Sequence, residues 1–289
     1  MHLKRFSIFS ICLLLGLTTF LPLSAEKLLS LTGVPTQGSL LRGEVAPSVQ
    51  EVWLDGEKLH LIGRKFLIGF DRDAELEHFI RIDYDNHSET IKFDLAKYRY
   101  DIQKITHVQK RFVVPPTDNF TRNKIKLESE TMKTIRKQIG NNHFFYADSV
   151  LIRPVEKGWI SSSFGGQRII NGTPQSPHNG LDIAVPFGTE IKAMTSGIVA
   201  LTGDFYYNGK FVLIDHGGGL SSIYLHMSRV SVKKGDYVKT GDKIGEVGST
   251  GRSTGNHLHW GVNLYEKRIN PALLLKSQEE FLIFSDENP

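Results

Sequence analysis

Glycine sets the texture of the second half of this chain. From about Leu151 onward, short runs rich in β-branched and aromatic residues alternate with glycines at 203, 209, 217–219, 235, 241, 245, 248, 251 and 255. A residue without Cβ tolerates positive φ and close backbone approach, so this spacing suits tight turns between strands and opposes long helices. The strand-like runs cover residues 189–193, 197–201, 210–214, 221–226 and 257–262. The expected fold over residues 151–275 is a mostly antiparallel, strongly curled β-sheet.

Residues 26–115 also read as β. Runs at 49–54, 60–62, 65–70, 78–82 and 90–95 carry valine, isoleucine and aromatics, separated by turn formers such as Asp55-Gly56 and the stretch 83–86. Several short strands in so few residues predict a small, β-sandwich-like accessory domain. Its histidines, His60, His78 and His87, with His107 beyond, lack ligand spacing and read as ordinary residues. Between the two β regions, Pro115-Pro116 breaks the pattern and Asp118 or Asn119 can cap a helix. Ile125, Met132, Ile135 and Ile139 repeat with helical periodicity through Gln138, and glycine and asparagine then stop it. Residues 116–150 are therefore expected to be a helical connector packed against a domain, with a partner-binding helix as the alternative. The last residues, 276–289, read as a C-terminal tail. The fold class expected for the whole is all-β.

Export is legible at the start. Lys4 and Arg5 precede an almost unbroken apolar run over residues 6–23, and Leu23-Ser24-Ala25 ends on a small residue. This is the layout of a signal peptide over residues 1–25, cleaved after Ala25, with an uncleaved anchor as the rival. The one cysteine, Cys12, lies inside that segment. The mature chain would then hold no thiol, which excludes disulfides and zinc–thiolate sites. Cleavage leaves 33 basic residues against 31 acidic, and no dense basic stripe appears. That balance excludes a nucleic-acid partner and is compatible with an anionic cell envelope. The chain is expected to be periplasmic or envelope-associated, or released, without stable membrane insertion after cleavage.

Five side chains carry the chemistry. His178 and Asp182 are spaced H-x-x-x-D, His257 and His259 are spaced H-x-H, and His226 ends an apolar run between them. Two imidazole nitrogens and one carboxylate oxygen form the protein ligand set of a catalytic zinc site, which leaves one position for water. In 257–259 the period-two pleat puts both imidazoles on one face and Leu258 on the other. One of the two would serve the metal and the other the reacting water. His178 follows Pro177, so 178–182 reads as loop entering strand. The H-E-x-x-H glutamate is absent, so a histidine must move the proton.

The segments Ser163-Phe164-Gly165, Arg168, His178 through Ala184, Tyr224-Leu225-His226 and Gly248 through Trp260 resemble the lysostaphin/LytM-type zinc metallopeptidases over residues 153–274. The resemblance implies one Zn2+ per chain held by His178, Asp182 and His259, with His226 and His257 as catalytic histidines. It also implies cleavage of cross-links or stem peptides of bacterial peptidoglycan. Arg168 and the loop Tyr206-Tyr207-Asn208 are candidate substrate contacts. The front domain or connector helix could meet an envelope partner or cover the cleft. The rival from a different class is a non-catalytic envelope protein that binds peptidoglycan or activates another hydrolase. A biotinyl- or lipoyl-carrier reading, prompted by Lys192, leaves the histidines unexplained.

Overall fold

The computed structural model describes residues 26–105, 116–140, 151–170, 172–276 and 279–285. The expected export segment with Cys12, His107 and the end of the connector (141–150) lie outside them.

Two four-stranded sheets form the N-terminal domain. One runs Glu280–Ser285, Lys27–Thr32, Leu40–Val45, Lys65–Gly69 in spatial order, and the other Glu57–Lys58, Val49–Leu54, Glu77–Tyr84, His87–Asp94. Leu29, Leu31, Leu41, Val52, Ile80 and Ile82 fill the space between them. Asp55-Gly56 (φ 50° and 86°) and Asp85-Asn86 (φ 43° and 64°) close two hairpins with both central residues at positive φ, the turn that matches strand twist.

Two expectations fail here. Residues 60–62 form no strand but one isolated bridge, Ile62 to Lys65, because Gly63 at φ 62° turns the chain at once. The expected tail is also corrected: Glu280–Ser285 pairs antiparallel with Lys27–Thr32. Phe281, Leu282 and Phe284 pack against the sandwich core, and that apolar burial is what draws the segment in.

The C-terminal domain is one ten-stranded sheet. Its main path runs Tyr237–Val238, Gly197–Phe205, Gly209–Gly217, Leu220–Val230, His257–Leu264, Leu181–Ala184, Trp159–Ser162, with three further strands paired at its margins. Tyr224, Leu258, Trp260 and Val262 are buried in its core. The Asn119–Lys137 helix starts as expected, with Asp118 Oδ1 accepting from Thr121 N at 2.7 Å. Its Met132 and Ile135, with Ile139 beyond, pack on Phe211, Leu213 and Ile223 of this sheet. Among the described residues no helix is long and apolar enough to cross a membrane.

The two domains share a core. Leu40 and Leu67 of the sandwich join the apolar cluster of the C-terminal sheet. A Cβ on Gly69 would fall 3.0–3.1 Å from side-chain atoms of Ile269 and Leu264, so the two sheets approach closely at this glycine. Backbone hydrogen bonds cross the boundary from Asn270 N to Gly38 O, 2.7 Å, and from Gln167 N to Asp101 O, 2.9 Å. Ile102–Ile105 also pairs parallel with Gln167–Ile170.

His216 belongs to this core and not to the site. It is fully buried, with Nδ1 donating to Ser196 O at 2.8 Å and Nε2 2.7 Å from Ser222 Oγ. Burial pushes its pKa down to about 4, against the Ser196 carbonyl that favours the charged ring. The unfolded chain therefore binds this proton more readily, and the neutral ring's contribution, complete above about pH 6.5, is lost as pH falls toward 4. Denaturant titrations should show wild type losing on the order of 2–3 kcal/mol more than His216→Gln between pH 7 and 4.5. Equal losses would refute the assignment.

Candidate metal centre and active site

One antiparallel pair builds most of the site. Across Leu181–Ala184 and His257–Leu264, Asp182 lies opposite His259 and Ala184 opposite His257. The pleat puts Asp182, His257 and His259 on the open face, while Leu258 and Trp260 are fully buried behind them. His178 enters from a loop that is bonded in register with a second loop. Its N–H donates to Gly166 O and its carbonyl accepts from Gly165 N, both at 2.8 Å.

Three atoms converge. His178 Nε2 lies 3.0 Å from His259 Nδ1 and 3.1 Å from Asp182 Oδ1, and His259 Nδ1 lies 2.8 Å from Asp182 Oδ1. His178 Nδ1 donates to Ser163 O at 2.9 Å, which leaves the Nε2 lone pair facing the cluster. His259 turns its other nitrogen toward Gly180, where a Cβ would sit 2.6 Å from Nε2 and 2.7 Å from the Trp260 carbonyl. Tetrahedral bonds of about 2.0–2.1 Å imply ligand–ligand edges of about 3.3 Å, close to the three separations. Acceptor atoms this close repel unless a proton or cation lies among them. Two nitrogens and one carboxylate oxygen are zinc's preferred donors, so these residues fit that ion.

The other two histidines stand beside this cradle. The strand Leu220–Val230 pairs with His257–Leu264 as far as Leu225, opposite His259, and from Met227 it pairs with Lys243–Val247. His226 sits at the change of partner with φ 61°, a conformation costing on the order of 1–3 kcal/mol for a residue with a Cβ. Its N–H donates to Asn208 O at 3.0 Å and its Nδ1 to Thr250 O at 2.8 Å. His257 Nδ1 donates to Gly255 O at 2.9 Å, and its Nε2 lies 3.9 Å from Asp182 Oδ1. The His226 and His257 rings are 4.8 Å apart, and each has spent Nδ1 on a carbonyl, leaving Nε2 for proton exchange.

The electrostatics follow from the same contacts. Burial raises the Asp182 pKa, but the His178 and His259 rings beside it outweigh that and hold the carboxyl well below its usual range. Burial lowers the His259 pKa, with Asp182 opposing. Burial brings His226 down to about 4, with the Thr250 carbonyl opposing. The cradle thus favours a carboxylate at Asp182 and a neutral ring at His259, the forms that bind metal.

The candidate substrate contacts divide. Tyr206 and Tyr207 meet edge to face at 4.9 Å, and Arg252 lies over Tyr207 at 4.7 Å. With Asn208 bonded to His226, this loop flanks the histidines. Arg168 is exposed on Gln167–Ile170, and its side chain makes no hydrogen bond or ion pair to the cluster among the described residues. Lys192, the residue behind the carrier reading, lies within Glu190–Lys192 and pairs with Glu156 at 2.6 Å. Sequence reasoning missed the carbonyls of Thr250 and Gly255, since backbone acceptors leave no trace in residue type. It also missed a cavity of about 610 Å³ between the domains, where Phe70 and Arg72 face Phe164, His178 and Asn179.

Comparison with known proteins accords with this geometry. Residues 176–271 match the description of Peptidase family M23. Peptidoglycan DD-endopeptidase ShyA of Vibrio cholerae is 41% identical over 119 residues, covering 40% of this chain and 28% of the relative. DD-carboxypeptidase/endopeptidase Mpg of Neisseria meningitidis is 38% identical over 121 residues, covering 42% of this chain and 28% of the relative. The chain thus spans less than a third of the length of these two relatives. A crystal structure described as an M23 peptidase from Pseudomonas aeruginosa matches 83% of this chain and 95% of its own, at 27% identity and a TM-score of 0.62.

Gly180→Ala tests the cradle without removing a ligand. The added methyl must displace the His259 ring, because the Trp260 carbonyl behind it is backbone and cannot yield. Competition with a chromogenic chelator should show zinc affinity falling on the order of tenfold or more, as when a metal ligand's support is removed. Unchanged affinity would mean that His259 does not hold the ion as oriented here.

Proposed function

We propose that this chain, which carries a domain of peptidase family M23, is an exported zinc-dependent endopeptidase that hydrolyses peptide cross-links or stem peptides of bacterial peptidoglycan. The observation that carries the reading is the convergence of His178 Nε2, His259 Nδ1 and Asp182 Oδ1 beside two histidines whose Nδ1 atoms are pinned by carbonyls. The relatives' names, peptidoglycan DD-endopeptidases among them, support the substrate class. The expected signal segment supports export to the periplasm or envelope.

His178, Asp182 and His259 would hold one zinc ion per chain. A zinc ion there supplies two things: it lowers the pKa of water toward about 7 and it polarises a carbonyl oxygen. The chain supplies the rest. One of the His226 and His257 Nε2 atoms accepts the proton of the attacking water and returns it to the leaving amine nitrogen. The other, once it carries a proton on Nε2 as well as on Nδ1, donates to the oxygen on which negative charge develops. Carbonyls of Thr250 and Gly255 fix both rings with Nδ1 protonated, so the ring that accepts the water proton need not reorient. Tyr206, Tyr207 and Asn208 would flank the peptide on the His226 side, and Arg168 would meet it further out.

A non-catalytic scaffold has no use for a proton-transfer pair beside the metal ligands, and here all five side chains share one cleft. Digestion of purified peptidoglycan, followed by product masses, should show hydrolysed stem or cross-link peptides with wild type. His259→Ala should lose bound zinc and activity together. His226→Ala and His257→Ala should keep zinc while losing roughly 10²–10⁴-fold in rate, the usual contribution of a positioned acid–base group. Equal digestion by wild type and His259→Ala would remove the enzyme reading.

A further inference from the structure

We infer that Arg72 of the N-terminal domain is a positioning residue for the metal centre, acting through the loop that presents His178; this rests on the zinc-site reading above. The chain of contacts is short. His178 is held by three hydrogen bonds to residues 163–166: its N–H to Gly166 O (2.8 Å), its carbonyl from Gly165 N (2.8 Å) and its Nδ1 to Ser163 O (2.9 Å). The last of these selects the tautomer that turns Nε2 toward Asp182 and His259. The orientation of the ligand is therefore only as well defined as the loop.

That loop is seated by the N-terminal half. Arg72 Nε donates to Gly165 O at 2.8 Å, from a side chain only 19% exposed. Its guanidinium stacks over the Tyr100 ring at 4.5 Å, and Tyr100 lies directly against Gly165, where a Cβ would fall 2.2 Å from the ring. Gly165 has φ 73°, so the loop is turned sharply at the residue that Arg72 and Tyr100 grip. Arg72 Nη1 is in turn fixed by Asp73 at 2.5 Å. Ser163, whose carbonyl orients His178, also donates its hydroxyl to Asp101 at 3.2 Å. A planar guanidinium can stack and donate in one fixed geometry, which an ammonium cannot do. The accessory domain thus belongs to the support of the ligand set, as well as forming one wall of the cavity beside it.

Removing a partner that orients a metal-bound histidine weakens metal binding by roughly 10–100-fold, and Arg72 stands one hydrogen bond further out, at the lower end of that range. In the full chain, Arg72→Ala should raise the zinc dissociation constant about tenfold in chelator competition. Arg72→Lys should fall between it and wild type. Thermal unfolding of the zinc-free proteins by circular dichroism separates positioning from stapling. A merely structural role lowers the melting temperature and leaves the affinity of the folded protein unchanged. Arg72→Ala within twofold of wild type overturns the inference, as does a wild type that binds no zinc. Should Arg72→Ala fail to fold, the affinity of Arg72→Lys decides by the same criterion. The readout needs no substrate, so a wild type that binds zinc but leaves peptidoglycan intact would remove the peptidase reading alone.

Discussion

Everything at this site depends on Asp182 lying directly across one antiparallel strand pair from His259. Pairing register is all-or-nothing in its consequence: a slip by one residue would move Asp182 to the opposite face from both histidines. The buried side chains prevent that slip. Leu258 and Trp260 on one strand, and Leu181 and Ile183 on the other, are locked in the core, so the polar face is specified by the apolar one. The ligand geometry is in this sense a by-product of hydrophobic burial.

The cluster then carries its own tension. Three acceptor-bearing atoms within about 3 Å of one another are stable only with a shared proton or cation between them, and His226 adds backbone strain at a strand crossover. Such local conflict is tolerated where the surroundings over-determine it. Here a ten-stranded sheet and carbonyls from Ser163, Thr250 and Gly255 do so, each taking one imidazole nitrogen and aiming the other. Each ring is thereby held in one orientation.

The two β domains are joined more firmly than a bead-on-string reading of the sequence suggests. Leu40 and Leu67 reach into the C-terminal core, the last described strand returns to pair with the first, and Arg72 grips the His178 loop. None of this shows in composition. Lys27–Thr32 and Leu40–Val45 are built on leucine instead of β-branched residues, and leucine declares no strand preference until tertiary packing supplies one. Glu280–Ser285 alternates too weakly to stand out, and only its partner strand makes it a strand.

Residue type and spacing were enough to determine the chemistry on offer. H-x-H on a pleat, a histidine and an aspartate near a glycine turn, and the glycine spacing of a curled sheet all follow from local periodicity, which is set by covalent geometry. Helix placement from Asp118 followed from the same local rules. What the tertiary structure decided was which atom of each ring faces inward, that His226 turns into the cleft at a bulge against the strand Gly209–Gly217, and that a residue 106 positions before His178 in the chain, Arg72, steadies it. Those depend on backbone carbonyls and on contacts between distant segments, and neither leaves a periodic mark in a sequence.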